Sequence, residues 1–548
     1  MKDLIKRLTF GSALGFTIVL LLSACGPTRV PSGLVYCSEG NPESFNPQLV
    51  TSGTTVDATS QQLYDGLLDY DAKFGELIPS LATSWDISDD EKVYTFHLRQ
   101  GVQFHHSDSF SPTRNFNADD VLFSFNRIID STHPYHDVSK TGYPFFQSIG
   151  FTDLIGKIEK VSDYQVAFHL NRKDASFLSN LATGFAVILS KEYADQLTKM
   201  NEQAQIDRLA IGTGPFRLIQ YVKNDYIRYY RNKNYWRLTP EVEQVVFDIT
   251  PKSTTRLAKL ITGDCNISAL PKAGELPVVI DKETLEVDSI PGFNVAFWAL
   301  NTERIPLNDV RVRRALAHAI DKENILRAVY QKTAVEAVGM LPPLSWAYSS
   351  NTSITQYDPA KARRLLAEAG VTDLTIDIWA IPVARIYNPN AHKTAELIQA
   401  DLANIGVKVN IITYDWSVFN QKLSKHSYDS VLIGWNADNS DPDNFFTPIL
   451  SCASVESNSN RSRWCDPAFD AILESAKSTT DKLKRSAFYQ QAEQQIAQQV
   501  PLIPFAHATR LVVKNKNVTQ SKLTPFGGIS FTNTTQAATT AIDERGIQ

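Results

Sequence analysis

Residues 374–413 read LTIDIWAIPVARIYNPNAHKTAELIQADLANIGVKVNIIT. Apolar residues alternate in 374–380 and again in 407–413, as they do in strands. Residues 392–405 have the spacing of an amphipathic helix, which Gly406 ends. A strand, helix and strand of this length predict a right-handed crossover between two parallel strands. The segment therefore indicates α/β structure in the second half of the chain.

Neighbouring segments extend this pattern in both directions. Residues 416–425 predict a further helix and residues 430–435 a third strand. Strand-like alternation also occurs earlier, at 93–98 and 164–170, around a helix predicted at 118–129 with Asn117 as its cap. The whole chain is therefore expected to be of mixed α/β class.

Two loops of opposite charge follow strands of the predicted sheet. Arg385 lies in the loop after strand 374–380, and Asp438 lies in the loop after strand 430–435. Ligands of open α/β sheets bind beyond the carboxyl ends of the strands, so this cation and this anion would suit a zwitterion. The rival interpretations are a solvated loop arginine and an aspartate that only shapes a turn.

The amino terminus has the pattern of a secretion signal. Three cations precede an uncharged apolar run, residues 8–22, that is short for a membrane span. Residues 22–25 read LSAC and resemble a bacterial lipobox, which predicts removal of residues 1–24 and lipidation of Cys25. Ordinary cleavage after Ala24 is the alternative. No later segment has the roughly 18 consecutive apolar residues of a membrane helix, so the body is expected to be soluble.

The composition is that of a large folded protein. The chain has 548 residues, 43% of them hydrophobic, and 54 Lys and Arg against 59 Asp and Glu, for a net charge of -5. Loss of residues 1–24 removes three cations and one anion, which changes the net charge from -5 to about -7. This acidic balance argues against nucleic-acid binding, and the length allows about two to four domains.

Four cysteines remain in the predicted mature chain: Cys37, Cys265, Cys452 and Cys465. In an oxidising compartment they indicate two disulfides, for which three pairings exist. The separation of 13 residues favours Cys452 with Cys465, which leaves Cys37 with Cys265. A zinc site is the rival, but no C-x-x-C motif or histidine cluster accompanies these cysteines.

Common catalytic motifs are absent from the sequence. It contains neither H-E-x-x-H nor G-x-S-x-G, and it has no G-x-x-x-x-G-K-[ST] phosphate-binding loop. We therefore expect a protein that is not an enzyme and that has no metal and no cofactor.

Several blocks resemble one protein family. They are LATSWDISDDEKVYTFHLRQGVQFH (81–105), SPTRNFNADDVLFSFNR (111–127), GTGPFRLIQY (212–221) and DVRVRRALAHAIDKENIL (309–326). In this order they resemble the family 5 solute-binding proteins, which are extracytoplasmic receptors of peptide-importing ABC transporters. The resemblance extends from about residue 34 to about residue 535.

Two subtypes of this family are suggested by different segments. SGTTVDATS (52–60) and GWNADNSDPDNFF (434–446) resemble dipeptide-binding proteins. GLVYC (33–37) and CASVESNSNRSRWCDPAFD (452–470) resemble the Sap-type peptide-binding proteins. We favour a Sap-type receptor, although an arginine at position 385 is typical of the dipeptide type.

The resemblance implies the type II (cluster C) periplasmic-binding-protein fold, in which two α/β lobes close on a ligand. After the signal peptide (1–24), the first lobe would comprise 25–63, 212–291 and 510–540. An extra subdomain of this lobe would comprise 64–211, and the second lobe 292–509. The chain would cross between the lobes near 293–301 and 503–509. The resemblance also implies both disulfides favoured above.

The resemblance also implies roles for individual residues. Asp438 would bind the ligand ammonium group and Arg385 its carboxylate. Trp416 and Trp435 would form flat apolar walls, although core packing is the rival interpretation for one of them. The expected ligand-binding set is completed by Gly53, Thr54 and Asn436.

In cellular terms, the resemblance implies a monomer in the periplasm of a Gram-negative bacterium, anchored to the membrane by a lipid on Cys25. It would capture short peptides and deliver them to the permease and ATPase subunits of an ABC transporter. Sap-type receptors are associated with resistance to antimicrobial peptides. Haem is the alternative ligand in the same transport role, and no nucleic-acid partner is expected.

Overall fold

The computed structural model describes residues 33–71, 76–350 and 356–537. The predicted signal peptide (1–24), the predicted lipidation site Cys25 and residues 538–540 of the predicted first lobe lie outside these ranges. Within them, no helix is both long enough and apolar enough to cross a membrane.

The strands are, in chain order, β1 (Gly33–Ser38), β2 (Leu68–Tyr70), β3 (Leu77–Pro79), β4 (Ala82–Ile87), β5 (Val93–Leu98), β6 (Ile155–Ser162), β7 (Gln165–Leu170), β8 (Phe216–Val222), β9 (Tyr226–Arg231), β10 (Gln244–Ile249), β11 (Ile267–Ala269), β12 (Leu285–Pro291), β13 (Asn294–Leu300), β14 (Ala334–Glu336), β15 (Thr375–Ala380), β16 (Lys408–Ile412), β17 (Ser430–Asn436), β18 (Leu502–Asn515), β19 (Val518–Thr519), β20 (Lys522–Leu523), β21 (Ile529–Ser530) and β22 (Thr535–Gln536).

The α-helices are α1 (Gly53–Ala58), α2 (Ser60–Leu63), α3 (Ala118–Ile129), α4 (Pro144–Ser148), α5 (Phe151–Leu154), α6 (Phe177–Leu181), α7 (Lys191–Met200), α8 (Ser253–Thr262), α9 (Leu276–Ile280), α10 (Val310–Ala319), α11 (Lys322–Ile325), α12 (Pro359–Glu368), α13 (Ala391–Ala403), α14 (Trp416–Leu423), α15 (Thr447–Leu450), α16 (Cys452–Glu456), α17 (Pro467–Lys477) and α18 (Lys482–Gln499).

The segment that predicted the fold class forms β15, α13 and β16. β15 pairs in parallel with β16 on one side and with β17 on the other. The side chain of Asn390 caps α13 by accepting a hydrogen bond from the Lys393 backbone N–H, at 3.0 Å. Gly406 follows the helix with a φ of +83°, a conformation that glycine adopts without steric strain. The predicted α/β class is confirmed.

One large sheet runs through the molecule in the order β16-β15-β17-β13-β18-β11-β1-β10-β9-β8, with β12 and β14 also paired to β18. The first residues of β18 pair with β13, and Thr509 to Asn515 pair with β12. β18 and the β12–β13 segment therefore connect two parts of the sheet.

Two large hydrophobic cores accompany these two parts. The first is built from residues between Leu34 and Ala269 together with four residues of the C-terminal segment. The second is built from residues between Phe293 and Ala508 together with Phe526. A separate four-stranded antiparallel sheet, in the order β4-β5-β7-β6, packs into the first core. Both cores belong to one chain, so a single chain can supply both walls of a ligand-binding space between them.

Candidate functional site

A cavity of about 490 Å³ is lined by residues of both cores. The first core contributes Tyr36, Val50 and Val56, and the second contributes Tyr387 and Phe419. All seven residues of the predicted ligand-binding set line this cavity: Gly53, Thr54, Arg385, Trp416, Trp435, Asn436 and Asp438.

Sheet geometry explains why Arg385 and Asp438 line the same cavity. β15 and β17 are parallel neighbours, paired from Ile378 with Ser430 to Ala380 with Leu432. Their carboxyl ends therefore meet at one edge of the sheet, and the loops that follow carry the two charged residues. Trp416 begins α14 after β16, the next parallel strand.

Asp438 lines this cavity and has one unpaired carboxylate oxygen. Its Oδ2 atom is buried and has no hydrogen-bond partner in the described structure. The turn hydrogen bonds of the loop are made instead by Asn439 and Asp441, which accept from the backbone N–H groups of Asp441 (2.9 Å) and Asp443 (3.0 Å). Burial raises the pKa of Asp438 well above its usual range. A cation at Oδ2 would satisfy this carboxylate.

Asn436 provides a second unpaired acceptor two residues away. Its Nδ2 donates to the backbone carbonyl of Phe526 at 2.8 Å, so the amide group is held in place. Its Oδ1 is buried and, within the described ranges, has no hydrogen-bond partner. A primary ammonium group has three N–H donors, which makes it suited to two such oxygens.

Arg385 is held against an aromatic ring. Its guanidinium carbon lies 4.5 Å from the ring centroid of Trp416, within the range of cation–π attraction. Trp416 in turn stacks on Phe419, with ring centroids 6.1 Å apart and planes inclined by 15°. Both tryptophans of the predicted set pack partly against the second core and also face the cavity. Packing and ligand contact are therefore compatible for Trp416 and Trp435.

Asn444 fixes the position of Trp435 relative to Asp438. Its Oδ1 accepts the indole N–H of Trp435 at 3.0 Å and the backbone N–H of Asp438 at 3.0 Å. The side chain of Asn444 is almost fully buried. One buried amide thus holds both the aromatic wall and the anionic residue.

The first core supplies polar groups to the opposite wall. The Thr54 hydroxyl donates to Glu39 at 2.5 Å. The space beside Gly53 is open, since apart from its chain neighbours and its own helix backbone no heavy atom would lie within 4 Å of an added Cβ. Asp57 faces Arg510, with 3.7 Å between carboxylate oxygen and guanidinium nitrogen. Burial raises the pKa of Asp57 to about 7, against the opposing effect of Arg510. These charged residues are functional candidates that sequence reasoning missed.

Arg461 is a further lining residue that the sequence analysis did not single out. It lies in the loop closed by the Cys452–Cys465 disulfide, together with the lining residues Ser457 and Ser459. The sequence feature that could have drawn attention to Arg461 is its position between two cysteines that are 13 residues apart. That signal does not indicate on which side of the loop the arginine lies.

Both predicted disulfides are present, Cys37–Cys265 and Cys452–Cys465. Among the described residues, the only group with metal-ligand geometry comprises Cys37, Asp248 and Cys265, and two of these three are joined to each other. The zinc alternative for the four cysteines is therefore replaced by the disulfide pairing.

A larger cavity of about 1090 Å³ lies next to the first. The two share Glu43, Leu49, Val50 and Thr141 as lining residues. We place the site in the smaller cavity because the unpaired acceptors of Asn436 and Asp438 line it and do not line the larger one.

Comparisons with known proteins agree with this geometry. The model of the bacterial extracellular solute-binding proteins, family 5 Middle, matches residues 76–457. The chain is 44% identical over 501 residues to the dipeptide-binding protein of Escherichia coli K12, covering 91% of this chain and 94% of the relative. It is 42% identical over 500 residues to the probable ABC transporter periplasmic-binding protein SapA of the same strain, covering 91% of each.

A solved structure is also similar over nearly the whole chain. It is the dipeptide-binding protein from Pseudoalteromonas sp. SM9913 in complex with Met-Leu, with a TM-score of 0.90 and 47% identity. The match covers 92% of this chain and 100% of that one. The predicted type II periplasmic-binding-protein fold is confirmed by this similarity. The chain belongs to the family 5 bacterial extracellular solute-binding proteins.

Proposed function

We propose that this protein captures short peptides with free amino and carboxyl termini and delivers them to an ABC transporter permease. One observation carries the proposal: a single cavity is lined by the unpaired acceptors of Asp438 and Asn436 and by the guanidinium group of Arg385. The two acceptors would bind the ligand ammonium group, and Arg385 would bind the carboxylate.

A receptor for many peptides has to recognise what all peptides share. The charged termini and the backbone are common to every short peptide, whereas the side chains vary. Charge-assisted hydrogen bonds in a cleft with little water provide affinity without side-chain selection. The aromatic faces of Trp416 and Trp435 supply apolar contact that fits different side chains. A volume of about 490 Å³ is within the roughly 300–1,000 Å³ typical of small-molecule sites.

The named relatives support short peptides as the ligands. The relative from E. coli is called a dipeptide-binding protein, and the solved neighbour holds the dipeptide Met-Leu. SapA is similar to almost the same extent, which leaves the Sap type as the second candidate. The resemblance to Sap-type receptors would connect the protein to antimicrobial-peptide resistance. The sequence blocks alone favoured a Sap-type receptor, but Arg385 lines the cavity, and we therefore favour the dipeptide type.

Haem is a weaker candidate on structural grounds. Protein ligands for haem iron are most often His, Cys or Met, with Tyr in some proteins. None of the described residues that line the cavity is His, Cys or Met. The two lining tyrosines are engaged or buried, since Tyr36 donates to Asp57 at 3.5 Å and Tyr387 is 8% exposed.

The remaining assignments also belong to this proposal. The two lobes and the subdomain would keep the boundaries given above, and the lobes would close on the ligand as one monomer. The protein would act in the periplasm, after removal of residues 1–24, with Cys25 carrying the lipid anchor. Its role would be binding and delivery without catalysis.

Two measurements test the proposed function. Mass spectrometry of ligand released from natively purified protein should detect short unmodified peptides. Calorimetric titration of refolded, ligand-free protein with Ala-Ala should show stoichiometric binding. Release of haem, together with no heat on addition of any di- or tripeptide, would contradict the proposal.

A further inference from the structure

Arg461 forms part of a cavity wall that is fixed by covalent and hydrogen bonds. The Cys452–Cys465 disulfide closes its loop, and the Tyr428 hydroxyl donates to the backbone carbonyl of Arg461 at 2.9 Å. The residue is partly buried and lines the same cavity as Arg385 and Asp438. The disulfide and this hydrogen bond fix the backbone of the loop. The side chain of Arg461 is also hydrogen-bonded to Tyr428, and the residue lines the ligand space.

The charge of Arg461 is not neutralised by the protein. Arg463, two residues further on, pairs with Glu303 at 2.9 Å. Arg461 has no such pair within the described ranges; the groups that favour its charged form are the hydroxyls of Tyr428 and Tyr387. Burial accordingly lowers the pKa of Arg461. A partly buried guanidinium group without a carboxylate partner is stabilised when an anion binds beside it.

The position of this charge relative to Arg385 follows from a shared neighbour. Tyr387 is almost fully buried, and the guanidinium groups of both Arg385 and Arg461 act on its hydroxyl, opposing the burial that raises the pKa of Tyr387. Gly434 packs against the Tyr387 ring so closely that an added Cβ would lie 2.5 Å from a ring carbon. The close packing of Gly434 thus holds Tyr387 in place, and Arg385 and Arg461 both lie near enough to act on its hydroxyl.

We propose that Arg461 is a specificity-determining residue that binds the carboxylate of an acidic side chain at the second position of a dipeptide. This inference rests on the proposed function, in which Arg385 holds the terminal carboxylate. The receptor then prefers ligands with two carboxylates near the Tyr387 side of the cavity. Dipeptides that end in Glu or Asp are the ligand class.

The test compares the isosteric ligands Ala-Glu and Ala-Gln by calorimetry. Wild-type protein should bind Ala-Glu about 10- to 100-fold more tightly, the range expected for one charge-assisted hydrogen bond. Arg461→Gln should lower the affinity for Ala-Glu by about this factor, so that Ala-Glu and Ala-Gln bind about equally. Arg463→Gln is the matched control, because Arg463 pairs with Glu303, and it should keep the preference.

Different results separate this inference from the proposed function. If wild-type protein binds Ala-Gln but shows no preference for Ala-Glu, Arg461 is not a ligand residue and the inference is overturned. Equal weakening of both ligands by Arg461→Gln would overturn it as well, because a loss of loop structure has that effect. Preference for Glu-Ala alone would refute the placement beside Arg385. If no dipeptide binds, the proposed function itself has failed.

Discussion

Asp438→Asn tests the proposed ammonium site most directly. The substitution preserves the shape of the side chain and removes the charge. Asp438 Oδ2 has no partner in the described protein, so no protein cation loses its counter-ion when the charge is removed. The free energy lost on ligand binding should be that of leaving a buried ammonium group unpaired, about 2–5 kcal/mol. This corresponds to a rise in Kd of about 30- to 5,000-fold.

Asp438→Asn should not destabilise the ligand-free protein, in contrast to its effect on ligand binding. Burial raises the pKa of Asp438 because the ionised carboxylate is poorly solvated there. Removing that charge should therefore leave Tm unchanged or increase it. Loss of affinity with retained Tm separates a ligand-binding role from a role in folding.

Calorimetry with Ala-Ala and N-acetyl-Ala-Ala provides the assay. In wild-type protein, acetylation should weaken binding by about the same factor as Asp438→Asn, and in the variant it should have little further effect. Asp373→Asn is the control, because Asp373 is an exposed residue before β15. The reasoning is refuted if Asp438→Asn binds Ala-Ala within about twofold of wild type, the scatter of such comparisons.

Three further predictions concern other parts of the site. Arg385→Gln should weaken Ala-Ala binding and abolish the difference in affinity between Ala-Ala and its carboxyl-amidated form; equal loss for both forms would contradict carboxylate binding. Affinity for Ala-Ala, measured by calorimetry, should increase as pH rises through the raised pKa of Asp438, because the carboxylate binds the ammonium, until the ligand amine deprotonates near pH 8. The Asp438→Asn variant should lose this rise and Asp57→Asn should keep it, even though burial also raises the pKa of Asp57, to about 7. The double substitution of Cys452 and Cys465 by Ser should lower the free energy of unfolding by about 3 kcal/mol in denaturant titrations, since the bond closes a 13-residue separation. An unchanged unfolding midpoint would show that the loop is held by its hydrogen bonds alone.

Local patterns predicted the elements that position Arg385 and Asp438. The spacing of apolar residues in 374–413 depends only on residues that are close in sequence. Because the carboxyl ends of parallel strands meet at one edge of the sheet, both loops are then expected at that edge. The family resemblance added the tryptophans and the first-lobe residues. The predicted helix at 118–129 has the same bounds in the structure, since its cap is local.

Contacts between distant segments could not be predicted in this way. Asp57 faces Arg510 because β18 returns along the first part of the sheet, and no local spacing encodes that approach. Whether Arg461 faces the cavity or solvent depends on how a disulfide loop packs against Tyr387 and Tyr428. The unpaired state of Asn436 Oδ1 follows from a bond between its Nδ2 and Phe526, ninety residues away.

The pairing of β18 with both parts of the large sheet determines how the molecule can move. Ala506 pairs with β13, the next two residues pair with β14, and Thr509 pairs with β12, so the passage between the cores is hydrogen-bonded throughout. A rotation of one core relative to the other then requires small backbone torsion changes in a few residues and no disordered linker to become ordered. The proposed closure would therefore lose little chain entropy, and most of the free energy of ligand contact would remain available as affinity. A glycine-rich insertion at this passage should lower the affinity for every ligand by a similar factor, without altering a contact in the cavity.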